Sequence, residues 1–199
     1  VVEPQQDEGP PRLPVGTILE GRYRIAGELG EGGIGWVYRA EHLNLGHEVA
    51  IKMLQPRFAQ HAQMRPRFER EAKALASLRH PHIVTPTDFS VSDQGAPYLV
   101  MEMLQGRTLD ELLEKEPLDE SIVKHIALQI TDALVCAHEA GFVHRDLKPA
   151  NIFLCDLPND SHHVKILDFG FVKLVSDDEP QGDNPLTRSG IAFGTPAYM

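Results

Sequence analysis

Residues 29–41 read LGEGGIGWVYRAE, with glycines at Gly30, Gly32 and Gly35. The residues just after the third glycine restrict the fold more than anything else in the chain. Glycines at this spacing can open the helix of a dinucleotide-binding βαβ unit, line a flap over a triphosphate, or form an ordinary turn. In the dinucleotide unit the third glycine opens a helix. Here Gly35 runs into Trp36-Val37-Tyr38, aromatic and β-branched residues that favour a strand. No P-loop lysine comes after the glycines, which excludes a Walker-type site. The segment reads as a glycine-rich turn between two antiparallel strands. Its bare backbone can come close to phosphate and donate N–H groups to it.

Such a flap needs charged partners, and they are present in order along the chain. VAIK places Lys52 on the next strand behind three apolar residues, a costly place for an unpaired charge. Its ammonium can neutralise phosphate oxygens, and it needs a carboxylate. Glu71, on an amphipathic helix, is the candidate; Glu69 lies two residues away and faces elsewhere. The strongest signal is HRDLKPAN at 144–151. Its His-Arg-Asp-x-x-x-x-Asn spacing sets Asp146 to accept a proton from an attacking hydroxyl and Asn151 to hold a metal ion. DFG at 168–170 adds Asp168 as the second metal ligand. Each motif alone occurs by chance; four in this order and at compatible spacing do not.

Periodicity organises the rest. RYRIAGELG, with Tyr23 and Ile25 alternating against polar residues, WVYRAEH and HEVAIKML read as three strands of an antiparallel sheet. Over 65–79 the period changes: Phe68, Ala72, Leu75 and Leu78 recur at helical spacing. IVTPTDFSV and PYLVMEML return to strand chemistry. A long helix is expected over 119–140, N-capped by Asp119, ended before Gly141, and striped by Ile122, Ile126, Ile130 and Leu134. NIFLC and HVKIL form a hairpin around DLPNDSH. Residues 171–199 read as polar loop.

At this point the chain resembles the eukaryotic-type protein kinases over about residues 22–199. LPVGTILEGRYRIAGELGEGGIGWVYRAEH and EREAKALASLRHPHIV are most like the bacterial serine/threonine members. The resemblance implies a bilobal α+β fold: a leader (1–14), an N-lobe of antiparallel sheet plus one helix (15–104), and a partial helical C-lobe (105–199). It implies ATP and Mg2+ as cofactors, with Mn2+ as the substitute ion. Gly30, Glu31, Gly32, Gly33 and Gly35 would cover the phosphates. Val37 and Ala50 would lie above the adenine and Phe153 below it. Met101 would be the gatekeeper, and Glu102 and Met103 the hinge. Lys148 would act near the γ-phosphate, and Thr195 in GTPAYM would position the acceptor hydroxyl near Asp146. Arg145 would pair with a phosphate on the loop beyond Gly170, Thr187 being the first choice of acceptor and Ser189 the second. The implied partners are protein substrates with Ser or Thr acceptors, with dimerisation for trans-autophosphorylation left open. Trp36 is bulkier than the residue usual after the third glycine, and the turn between Asn151 and Asp168 is slightly long. The alternatives are a pseudokinase or regulatory nucleotide-binding module, or a catalytically dead kinase fragment. A pseudokinase would be expected to have lost at least one of Lys52, Asp146, Asn151 or Asp168; all are present.

Bulk properties set outer limits. A net charge of −10 over 199 residues argues against a nucleic-acid-binding surface. No run of about 18 apolar residues spans a membrane. Cys136 and Cys155, without CxxC spacing, read as reduced thiols, which points to the cytoplasm and leaves open an anchor downstream. His162-His163 is expected in a solvated turn and not at a metal. The start lacks Met and the end falls inside GTPAYM, where the family continues, so a piece of a longer protein is expected.

Overall fold

The computed structural model describes residues 12–32, 35–55, 58, 64–115 and 117–168. Gly33, most of the leader, the segment after Asp168 with Thr187, Ser189 and Thr195, and the Glu71 side chain lie outside this set. The chain divides into two compact units, Val1–Glu69 with Thr87–Met103, and Arg70–Pro86 with Leu104–Met199.

The first unit is built on a six-stranded sheet. Its strands are β1 (Ile18–Leu19), β2 (Tyr23–Glu31), β3 (Gly35–His42), β4 (His47–Leu54), β5 (Pro86–Val91) and β6 (Pro97–Glu102), in the spatial order β1-β2-β3-β4-β6-β5. The pairings from β1 to β4, and of β4 with β6, are antiparallel, as the short turns between alternating segments require. Trp36, Tyr38, Ile51, Met53, Tyr98 and Val100 point to one face and are buried in its core. An apolar side chain of this size contributes about 1.5–3 kcal/mol when fully buried, so this face dominates the unit's stability. Arg22 and the Tyr23 hydroxyl both reach Asp88 Oδ2, at 2.6 and 2.8 Å, fastening β5 to the start of β2.

Helix α1 (Met64–Ser77) carries the expected apolar stripe: Phe68, Ala72 and Leu75 are buried, as is Leu78 just beyond it. In the second unit, β7 (Gly106–Thr108), α2 (Leu109–Leu113), α3 (Glu120–Glu139), β8 (Ile152–Leu157) and β9 (Asp160–Ile166) come in that order. The sheet runs β7-β8-β9. The β8–β9 hairpin is tighter than the sequence suggests, since Leu157 already pairs with Asp160. His162 and His163 therefore lie within β9, half-buried, and not in a solvated turn. The stripe of α3 is also corrected. Ile126 is buried, but its buried companions are Gln129, Ala133 and Ala137; Ile122, Ile130 and Leu134 are only half-buried. Large residues at uniform steps of four drift around a helix of 3.6 residues per turn, whereas 126, 129, 133 and 137 stay on one face.

Candidate active site

In the first unit, cross-strand register assembles the nucleotide-directed residues expected from sequence. Val37 lies opposite Lys52, and Lys52 opposite Leu99. Ala50 lies opposite Met101. Directly opposed residues share a face, so Val37, Ala50, Lys52 and Met101 stand together on the side away from the Trp36–Tyr38 core. Lys52 is 3% exposed. A buried ammonium without compensation is costly, and Lys52 is not without a partner. Glu71, its expected partner, lies on α1, with its side chain outside the described residues. Glu102 ends β6, and Met103 comes next, both half-buried.

The flap is the β2–β3 connection, closed by the Gly32 N–H donating to Gly35 O at 2.8 Å. A Cβ on Gly35 would lie 2.4 Å from the Met53 carbonyl oxygen, so this glycine answers to the close approach of β4. Gly30 and Gly32 differ: a Cβ on Gly30 would meet nothing within 4 Å, and one on Gly32 only an ordinary contact at 3.7 Å. Among the described residues, packing does not require those two to be bare.

In the second unit, α3 stops at Glu139 and Gly141 takes φ +82°, turning the chain into the loop of HRDLKPAN. A 3₁₀ turn, Pro149–Asn151, then leads into β8. The loop is cross-linked around Asp146. Lys148 Nζ lies 2.9 Å from Asp146 Oδ2. Asn151 Nδ2 donates to Asp146 O at 2.7 Å and to its Oδ2 at 3.2 Å. With its nitrogen committed to Asp146, Asn151 keeps its amide oxygen as a hard acceptor. Phe153 lies on β8, half-buried and opposite Lys165.

One peptide joins this loop to Asp168. The Leu167 N–H donates to Asn151 O at 2.9 Å. On its other side the Leu167 carbonyl accepts from His144 Nε2 at 2.8 Å. His144 Nδ1 in turn accepts the Asp146 N–H at 3.3 Å. The imidazole is thereby the neutral Nε2–H tautomer, and burial first of all holds its pKa below the usual histidine value. Arg145 and Asp168 flank this clasp with φ of +66° and +56°. Left-handed backbone at a non-glycine residue costs roughly 1–2 kcal/mol. His144 is the residue that motif reading passed over, although its place two residues before Asp146 was the signal.

Asp168 is delivered by β9, whose peptide groups on the side away from β8 all find partners. His162 N–H donates to Asp160 Oδ1, and its carbonyl accepts from Gln129 Nε2, each at 3.0 Å. Val164 N–H donates to Gln129 Oε1 at 3.0 Å, and its carbonyl accepts from His82 Nδ1 at 3.1 Å. Ile166 N–H donates to His82 O at 2.9 Å, and its carbonyl accepts the Val84 N–H at 3.1 Å. Buried Gln129 thus serves β9 as a neighbouring peptide would. Burial, with His163 and His80 close by, lowers the pKa of His82 despite its bond to Val164 O.

Asn151 and Asp168 offer an amide and a carboxylate oxygen. This donor set suits a hard divalent cation that takes its remaining ligands from substrate phosphates and water. Among the described residues no group of three or more His, Cys, Asp or Glu side chains forms a metal cage by itself, and no helix is long and apolar enough to cross a membrane.

Residues 23–199 match the model of the protein kinase domain. The chain is 41% identical over 188 residues to the serine/threonine-protein kinase pkn3 of Myxococcus xanthus, covering 93% of this chain and 34% of that protein. To Pkn1 of the same organism it is 40% identical over 186 residues, covering 94% and 26%. It therefore spans about a third or less of the length of these relatives. Among solved structures, the kinase domain of M. tuberculosis PknI is similar with a TM-score of 0.68 and 30% identity, covering 80% of this chain and 62% of that one.

Proposed function

Because the chain belongs to the protein kinase domain family, we propose that it is a serine/threonine kinase, transferring the γ-phosphoryl group of Mg-ATP to Ser and Thr hydroxyls of proteins. In this reading residues 15–104 form the nucleotide lobe and 105–199 a part of the catalytic lobe. The observation that carries it is the clasped Leu167 peptide, which links Asp146 and Asn151 to the residue just before Asp168.

The chemistry is then a matter of positions and charges. Asp146 accepts the proton of the attacking hydroxyl, oriented by Asn151 and Lys148. Lys148 is near enough to Asp146 to steady the transferring phosphoryl group as well as the carboxylate. Lys52 neutralises α- and β-phosphate oxygens from a buried position, where its charge acts strongly. Glu71 orients Lys52, Met101 borders the adenine, and Glu102 and Met103 bond its edge through their backbone. Asn151 and Asp168 would hold Mg2+, which supplies charge neutralisation at the β- and γ-phosphate oxygens. The Gly30–Gly35 flap excludes water. Thr195 positions the acceptor hydroxyl, and Thr187, then Ser189, receives an activating phosphate that pairs with Arg145, transferred by a second copy of the chain. Two cysteines without CxxC spacing support a cytoplasmic setting.

The test is transfer of label from γ-labelled ATP to a protein substrate, with and without Mg2+, for the wild type and Lys52→Met. Transfer is expected to be abolished in the variant while its circular dichroism stays that of the wild type. Wild-type turnover by a folded Lys52→Met protein would defeat the proposal.

A further inference from the structure

Strand β2 breaks its alternation at Leu29. Glu28 lies opposite Tyr38 and Gly30 opposite Val37, so Leu29 is the extra residue of a bulge, 49% exposed. The bulge has a consequence for charge. Glu28 and Glu31 are three apart, yet they oppose Tyr38 and Trp36, which are two apart. Both carboxylates therefore stand on one face of the flap strand, the face away from Lys52, where they repel each other.

Arg12 answers both. Its Nη1 donates to Glu28 Oε1 and Oε2 at 2.7 and 2.8 Å, and its Nη2 to Glu31 Oε2 at 2.7 Å. Glu31 Oε1 accepts from Nε2 of Gln55, 5% exposed, at 3.0 Å. The next residue, Leu13, donates its N–H to Tyr38 Oη at 3.2 Å and packs on the core of the sheet. The hairpin is already closed by its own register and the Gly32–Gly35 bond, so this strap is additional to what folds it.

We propose that Arg12 is a positioning residue for the flap. It holds the bulge root at Glu28 and the flap end at Glu31 together, masks two negative charges from the triphosphate, and sets the distance of the flap N–H groups from it. The proposal rests on the kinase reading. It makes the segment before β1 a determinant of ATP affinity, through phosphate and not through adenine.

The experiment titrates the full chain with ATP plus MgCl2 and, separately, with adenosine. Binding is read by titration calorimetry, because Trp36, the one tryptophan in the chain, is buried on the face away from Lys52. Arg12→Ala should weaken ATP roughly two- to fivefold, the scale of exposed ion pairs, and raise KM for ATP equally, with kcat and adenosine affinity unchanged and Tm lowered by no more than about 4 °C. The difference should shrink at high salt. Arg12→Lys should recover part of it, and Arg12→Glu combined with Glu28→Arg more than Arg12→Glu alone. Equal losses for ATP and adenosine, or no loss for ATP, would overturn the strap. A wild-type chain that binds no ATP would remove the kinase reading and the strap together, whereas ATP binding indifferent to Arg12 removes the strap alone.

Discussion

Two glycines of the flap should respond in opposite ways to the same methyl group. At Gly35 the added Cβ would lie 2.4 Å from Met53 O, 3.2 Å from its carbonyl carbon and 3.6 Å from Leu54 Cα. All three are backbone atoms of β4, so no side chain can swing aside. An ordinary carbon–oxygen approach is about 3.3–3.6 Å, and β3 and β4 must part by about 1 Å at this end. Overpacking of this kind costs roughly 1–3 kcal/mol. For a chain of this size each kcal/mol moves Tm by about 2–4 °C, so Gly35→Ala should melt roughly 2–12 °C lower. Gly30 has open space around the same position, and its φ lies outside the left-handed region. There alanine restricts the unfolded chain and should stabilise by about 0.4–1 kcal/mol. Gly30 lies opposite Val37, on the Lys52 side of the sheet, so its methyl should obstruct the phosphates and weaken ATP binding. Calorimetric melting and ATP titration of both variants separate the effects. A Gly35→Ala protein that melts with the wild type, or a Gly30→Ala protein that melts well below it, would refute the steric reasoning.

The second unit carries three further expected outcomes. Gln129→Leu strands the Val164 N–H and the His162 carbonyl; a loss of about 1–3 kcal/mol should appear as a lower Tm and faster amide exchange over 160–166, and unchanged exchange there would count against the bridging role. His82 and His144 have pKa values lowered mainly by burial, so the unfolded chain binds more protons than the folded one in the window below the ordinary histidine value. Their contribution is complete above about pH 6.5 and is lost as pH falls below it; Tm should drop between about pH 6.5 and 5, less so in His144→Gln, and a flat profile would argue against buried neutral imidazoles. Lys148→Ala should lower kcat by about 10²-fold with little change in KM for ATP, and a reversed pattern would place Lys148 in nucleotide binding instead.

Much of the fold and of the candidate site is legible in the sequence because the candidate residues sit in contiguous motifs. The strand after Gly35, the burial of Lys52 behind three apolar residues, and the α1 stripe through Phe68, Ala72 and Leu75 all come from local pattern. The helix over Glu120–Glu139 is readable in extent but not in orientation, because its buried face is made of small residues and one glutamine. Only the fold reveals that Gln129 spends its amide on β9. Strands β1 and β7 are too short to show a period. Helix α2 could have been found: Thr108 and Glu111 form a reciprocal capping box, a spacing visible in T-L-D-E. The clasp of Leu167 brings residues 144 and 151 to residue 167, and no local signal marks such a meeting.

The satisfied flank of β9 bears on how copies of this protein behave in a crowded solution. The border of a small sheet is where a foreign strand can add itself, since open N–H and C=O groups template a new one. Here one border is β7, only three residues long, and the other is β9, whose groups are taken by Asp160, Gln129, His82 and Val84. A passing chain finds nothing on β9 to copy. The side chains that hold β9 also keep the second unit from extending its sheet along that edge.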